Sequence, residues 1–293
     1  TTGPPAWANY LKGVLAGYLE RGIDPGGFDA VVHSAVPLGG GLSSSAALEV
    51  ATATLVEALA GKTLDPVDKA LLCQKAEHDY AGMPCGIMDQ FISVMGKAGH
   101  ALLIDCRSRQ TRDVAVDPSR VAVLVINSNV KHELVGGEYA ERRAQCEAAA
   151  KAMNVAKLRD ADLPLLETHR AAMGELAYRR AHHVITENQR TLDAAEAMSR
   201  GDYEKTGDLM NASHAAMRDD FEITVPQIDK LVAIAQSRIG ADGVYGSRMT
   251  GGGFGGCTVT LIRPDAVEAV GAGIAAEYEA ATGIKPTWFA TTP

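Results

Sequence analysis

Aromatic residues make up only 5% of this 293-residue chain, so its core must be built from aliphatic side chains. No apolar run approaches the roughly 20 residues that a membrane-spanning helix needs, and no basic-then-apolar leader opens the chain. Positive charge is in deficit. The 28 basic residues face 36 acidic ones, a formal charge of −8, which argues against a nucleic-acid scaffold. Disulfide and zinc signatures are missing too. The five cysteines, Cys73, Cys85, Cys106, Cys146 and Cys257, are scattered, odd in number and never spaced CxxC. A reducing cytoplasm is the expected setting. There is no low-complexity stretch, long linker or repeat, and the opening Thr1-Thr2-Gly3-Pro4-Pro5 has no initiator methionine.

What is present suffices for a real core, with 46% hydrophobic and 22% charged residues, in one large domain or two ordinary ones. Apolar residues at Trp7, Leu11, Val14, Leu15 and Tyr18 follow a helical period that ends at Gly22. Phe28 to Pro37 is rich in Val and Ala and reads as a strand running into Gly39-Gly40-Gly41-Leu42-Ser43-Ser44-Ser45. A breaker-free Ala/Leu/Val stretch then predicts a helix stopped by Gly61. Asp65-Pro66 reads as a cap and first helical position. Ser93 to Ile104 and Val121 to Ile126 read as strands, and residues 141–223 as mostly helical, with breaks near Pro164, Gly174 and Gly201. Val225-Pro226 opens a helix to Ile239. A second glycine loop over 251–256, a strand at Cys257–Ile262, a helix from Asp265 to Thr282 and a last strand follow. The expected organisation is two α+β lobes, 1–118 and 119–293.

The first glycine loop joins a strand to a helix N-terminus, where free N–H groups and the helix dipole attract phosphate. Its serines can cap the helix, bind phosphate oxygens or ligate a hard cation such as Mg²⁺. It lacks the lysine of a Walker A loop. The plainer alternative is a tight turn with a serine cap. The second loop has five glycines in six positions, which implies close approach to a ligand or to another backbone, a hairpin corner being the alternative. Glu77 and Asp89 could divide the metal-ligand and proton-accepting roles of phosphoryl transfer, but spacing alone favours ordinary surface acids. Neighbours on a helix do not share a face, so His182-His183 reads as partly buried or surface histidine rather than a joint metal site. Arg142-Arg143 and Arg218-Asp219-Asp220 read as solvated or salt-bridged helix faces.

Several segments together resemble the galactokinases of the GHMP small-molecule kinase family. Pro37 to Ala47 resembles the second GHMP motif, and Met249 to Cys257 the third. Trp7 to Tyr10, Cys85 to Gln90, Leu102 to Ser108, Gly137 to Tyr139 with Arg142-Arg143 and Cys146-Glu147, and Met217 to Thr224 are similar to galactokinase segments in the same order. The resemblance implies the two-lobe α+β GHMP kinase fold, with a front lobe like ribosomal protein S5 domain 2 and an α+β C-terminal lobe. It implies ATP-dependent phosphorylation of α-D-galactose at its anomeric hydroxyl, with ATP and galactose as partners and no nucleic acid or membrane. By match, Asp89 is the catalytic base or hydroxyl-orienting acid, and Gly86, Asp89 and Tyr139 contact the sugar. Gly39, Gly40, Gly41, Leu42, Ser43, Ser44 and Ser45 hold the ATP phosphates, with Gly251, Gly252 and Gly253 supporting them. Ser45 and Glu77 hold Mg²⁺.

Galactokinases open with a motif of the form GRVNLIGEHTDY, which nothing in this chain matches. The resemblance therefore implies that the front of the first lobe is missing, with a sugar-holding segment and a transition-state arginine. The physical expectation is a lowered rate, a raw sheet edge and uncovered apolar surface. Two other functions remain open: a sugar- and ATP-binding sensor without turnover, and a kinase for N-acetylgalactosamine. The intact protein is expected to be a monomer.

Overall fold

The computed structural model describes residues 2–36, 42–130 and 135–292, with only the backbone of Val135, Gly136 and Tyr139. The chain divides into two compact units, residues 1–114 and 115–293.

The first unit is built on four helices: α1 (Ala8–Glu20), α2 (Ser44–Ala60), α3 (Pro66–Ala76) and α4 (Met88–Met95). A two-stranded sheet, β1 (His100–Ile104) with β2 (Thr111–Ala115), completes it. α2 ends where Gly61 adopts φ 64°, and α3 begins where the Asp65 carboxylate accepts a hydrogen bond from the Val67 N–H at 2.9 Å. Val14, Tyr18, Val50, Ala53, Val56, Leu72, Cys73 and Ala76 form an almost wholly aliphatic core. α1 can reach α3 because Gly13 and Gly17 stand one turn apart on the contact face. A Cβ at Gly13 would lie 2.7 Å from that of Ala76. Buried beside this core, the Glu57 carboxylate accepts from the Tyr18 hydroxyl (2.8 Å), the Leu64 N–H (3.0 Å) and Lys69 Nζ (2.9 Å).

Two strand expectations change here. Residues 28–35 form no strand, and Val31 is 99% exposed, because no strand among the described residues pairs with them. The run from Ser93 to Ile104 is also not continuous. The helical period of α4 carries through Met95, and the strand starts only at His100, beyond the Gly99 turn at φ 74°.

In the second unit four antiparallel strands run in the order β4 (Val244–Met249), β5 (Cys257–Ile262), β3 (Ala122–Asn127), β6 (Thr287–Thr291). The β3–β5 register pairs Leu124 with Thr260. α8 (Pro226–Gln236) and α9 (Val267–Thr282) pack on the sheet through Leu124, Ile126, Leu231, Ile234, Ile262, Ile274 and Tyr278. A helical pair, α5 (Val135–Ala152) and the long α6 (Leu163–Ser199), has its own core around Ala149, Met153, Leu166 and Ala181. Gly174, with φ 78° and ψ 162°, breaks the helical path of α6. α7 (Tyr203–Ala216) lies backbone against backbone on β4: a Cβ at Gly207 would sit 2.0 Å from the Tyr245 carbonyl oxygen.

Both units contain a five-residue π-type turn, Glu77–Ala81 after α3 and Met217–Phe221 after α7. Such turns are rare and concentrate at functional segments.

Candidate active site

The segments named from sequence lie in both units. In the first, α2 starts at Ser44, and its first intrahelical bond runs from the Ala47 N–H to the Ser43 carbonyl at 3.0 Å. Ser43 is held at φ 59°, a left-handed conformation that costs an L-residue roughly 1–2 kcal/mol. Among the described residues no side chain caps this end, and no acid stands in the first turn to repel an anion. The expected phosphate residues Gly39, Gly40 and Gly41 lie outside the described residues, as does the side chain of Tyr139. Leu42, Ser43, Ser44 and Ser45 are part-buried at the helix mouth.

Glu77 is not a surface acid. It opens the first π-type turn and is 5% exposed. Asp89, in the first turn of α4, is half-buried. What links these segments is a pair of residues that sequence reasoning passed over, Glu49 and Gln90, both fully buried. Gln90 Nε2 donates to Glu77 Oε2 at 2.7 Å and to Glu49 Oε2 at 3.0 Å. Glu49 stands four residues after Ser45 on α2, so the two share a helix face about 6 Å apart along the axis. Ser45, Glu77 and Asp89 thus belong to segments joined through one amide. Burial pushes the Glu49 carboxyl up to about 8, the Gln90 amide opposing and Glu77 reinforcing the rise. Tyr10 on α1 is raised as well, by burial and then by Glu77 and Glu49. The one sequence signal for this cluster was Glu49, an acid in the Ala/Leu/Val-rich helix one turn beyond the serines.

The Cys85-Gly86 segment is tied to α3 and its turn. The Cys85 carbonyl accepts from Gln74 Nε2 at 3.2 Å and is 2.8 Å from His78 Nε2. Gly86 needs no positive φ, and a Cβ there would meet nothing within 4 Å among the described residues, so neither backbone nor described packing accounts for a glycine at this position.

In the second unit the glycine loop follows β4. Gly251, Gly253, Gly255 and Gly256 all have positive φ. A Cβ at Gly253 would lie 2.6 Å from the Ile223 carbonyl oxygen, and one at Gly255 2.8 Å from that of Val130. These glycines serve backbone-to-backbone contact. The Phe254 N–H donates to the Ile223 carbonyl at 2.7 Å, and Ser128 fixes the far end by donating its N–H and hydroxyl to the Gly256 carbonyl. Gly252 differs, with ordinary φ and nothing among the described residues within 4 Å of its missing Cβ.

The residues just before Ile223, the loop's anchor, are held by arginines. Arg142 Nε and Nη2 donate to the carbonyls of Phe221 (2.8 Å) and Glu222 (2.9 Å). Arg180, 1% exposed, donates to the Asp220 carbonyl, to Gln145 Oε1 at 2.8 Å and to Glu222 Oε2 at 2.6 Å. Arg179 donates to the Asp219 carbonyl and pairs with Glu222. Arg142 is therefore not a solvated face residue. Arg143, pairing with Glu147, and Arg218, pairing with Asp219, keep the salt-bridged character expected of them. His182 and His183 do diverge: His182 meets Asp220 at 2.7 Å, and His183 stacks on Phe221, with burial lowering its pKa to about 4. Among the described residues no group of three or more His, Cys, Asp or Glu side chains forms a metal site, and no helix is long and apolar enough to cross a membrane.

The families described as GHMP kinases N terminal domain and GHMP kinases C terminal match residues 9–97 and 194–280. The galactokinase of Homo sapiens is 53% identical over 264 residues, covering 90% of this chain and 66% of its own length. That of Bos taurus is 52% identical over 276 residues, 94% of this chain and 69% of its own. The crystal structure of Lactococcus lactis galactokinase complexed with galactose matches with a TM-score of 0.88 and 31% identity, over 98% of this chain and 74% of that one. L. major mevalonate kinase, at TM-score 0.58 and 17% identity, shares the fold. The chain spans about two thirds of the length of the curated relatives it matches. With motifs, fold and comparisons in agreement, the chain belongs to the galactokinases of the GHMP kinase family.

Proposed function

We propose that this chain carries the nucleotide, metal and acid-bearing parts of a galactokinase active site, transferring the γ-phosphoryl group of ATP to the anomeric hydroxyl of α-D-galactose. The observation that carries the reading is the joined arrangement of α2, through Glu49 one turn beyond its serines, Glu77 and the Asp89 turn by way of Gln90. Asp89 would orient the anomeric hydroxyl and accept its proton as the sugar oxygen bonds to the γ-phosphorus and the bond to the β-phosphate oxygen breaks. The half-buried setting of Asp89 leaves it able to touch a ligand. Gly86 and Tyr139 would face the sugar; the vacant space at Gly86 favours close ligand approach. Gly39 to Ser45 would cradle the phosphates with backbone N–H groups, and Gly251 to Gly253 would support them, Gly252 being the position left open for a ligand.

Hydroxyl and carboxylate are hard oxygen donors, and Mg²⁺ takes one or two carboxylates beside substrate phosphates and water. Ser45 and Glu77 fit that set, and the buried Glu49 Oε1 beside them has no hydrogen-bond partner among the described residues. When bound, Mg²⁺ would neutralise phosphate charge. The same reading carries the expectations of a monomer and a cytoplasmic setting.

The test is galactose-dependent ADP production with Mg²⁺, by this chain alone and by the chain preceded by a galactokinase opening segment, each with and without Asp89→Asn. Turnover that Asp89→Asn lowers by roughly 10² to 10⁴-fold, with melting unchanged, supports the reading. Preference for N-acetylgalactosamine would move the substrate assignment, and folded proteins that bind galactose and ATP without turnover would favour a sensor.

A further inference from the structure

Gln90 stands where a core residue would be expected. It is fully buried, and its neighbour Phe91 is fully buried as well. An amide in such a place loses its hydration and is retained only if its groups find partners. Half of it does. Nε2 reaches Glu49 Oε2 at 3.0 Å and Glu77 Oε2 at 2.7 Å, while Oε1 has no partner among the described residues. The amide's two N–H groups supply one bond to each of the two carboxyl groups, and that end of Gln90 faces them. The two acceptors come from different segments, α2 and the first π-type turn, and the donor from α4. A side chain that served packing alone would be apolar and would leave no orphaned oxygen.

We infer that Gln90 is a positioning residue: its amide fixes the rotamer of Glu77 against α2, so that the Glu77 carboxylate is presented to the metal in one orientation. The inference rests on the reading of Glu77 as a metal ligand. Groups that hold a metal's carboxylate ligand typically change metal affinity by roughly 10 to 100-fold when removed.

The experiment measures Mn²⁺ binding in the presence of ADP, by the loss of the free-ion spin resonance signal, together with the melting temperature with and without Mn²⁺ and ADP. The whole chain is compared with Gln90→Met, Glu77→Gln and Lys69→Met. Lys69→Met breaks the part-buried pair with Glu57, which lies in the same unit but outside this cluster, and is the stability control. The expected result is that Gln90→Met and Lys69→Met both lower the melting temperature of the free protein. Only Gln90→Met and Glu77→Gln weaken Mn²⁺ binding, about tenfold or more, and shrink the thermal shift on adding Mn²⁺ and ADP. If Glu77→Gln weakens binding and Gln90→Met does not, Gln90 is structural only and the inference fails while the metal reading stands. If neither variant changes binding, or the parent chain binds no Mn²⁺ with ADP, the metal reading fails and takes the inference with it. Should Gln90→Met not fold, Gln90→Asn keeps an amide one methylene short of Glu77. It is expected to weaken Mn²⁺ at least threefold, and parent-like affinity there overturns the inference.

Discussion

The two π-type turns have the same backbone and opposite chemistry. In each, the carbonyl of the first residue accepts from the amides five and six positions on. Glu77 receives Gly82 and Met83, and Met217 receives Glu222 and Ile223. In each, the residue after the turn is left-handed, Gly82 at φ 72° and Glu222 at φ 53°. Gly82 takes that conformation freely. Glu222 is strained there, and the strain is offset because its carboxylate pairs with Arg179 and Arg180 at 2.6 Å each, while its carbonyl is held by Arg142. The first turn leaves its own carboxylate, Glu77, to be held by an amide, a neutral donor that does not cancel its charge. The second neutralises its acid with arginines, which suits an anchor for the glycine loop and not a metal ligand.

The largest break in this comparison is Arg180→Met, which strips the second turn of its buried clamp and leaves Glu222 with Arg179 alone. We expect a loss of about 3 kcal/mol in chemical denaturation. Glu222→Gly turns the second turn into a copy of the first at the left-handed position. Relief of strain recovers about 1 kcal/mol, but the buried Arg180 loses its acid, so a net loss of about 2 kcal/mol is expected by the same measurement. Gly82→Ala makes the reverse swap. A Cβ there meets nothing within 4 Å, so only the φ cost of about 1 kcal/mol applies. A loss above about 3 kcal/mol would mean the first turn depends on more than backbone freedom.

The smallest effect sharpens the contrast by pH. The Arg180 and Arg179 guanidiniums hold the Glu222 carboxyl below its ordinary 4.5, with partial burial opposing them. A depressed folded pKa gives stability that is present above about pH 4.5 and lost as pH falls through the folded value. Urea denaturation between pH 6 and pH 3 should therefore show a shallower decline for Glu222→Gln than for the parent chain. Equal slopes would remove Glu222 from the account.

These turns also mark where the sequence was readable. β5 was legible to the residue, because Cys257 to Ile262 is a run rich in β-branched residues between a glycine loop and Pro264. α2 was legible because Gly61 stops a stretch without breakers. Of the strand expected at 28–37, the described residues 28–36 form none, since β-propensity describes a surface to be paired and no strand among the described residues pairs with them. The glycine loops announced themselves through composition. The cluster of Glu49, Glu77 and Gln90 did not, because its members lie 41 and 13 positions from Gln90 and are common residue types. The arginine clamps on carbonyls 219–222 were invisible for another reason: their acceptors are backbone atoms, the same whatever residue is written there.

A π-type turn is one residue more than the helix beneath it needs. Take one residue away from 77–81 and the backbone of α3 could simply run on as an ordinary helix, with better hydrogen bonds. The chain beyond it would then rotate by about 100°. Cys85, Gly86 and Asp89 would face another direction although none of them had changed. Local stability and correct aim are at odds over a single inserted residue, so a shorter and better helix would be the wrong protein.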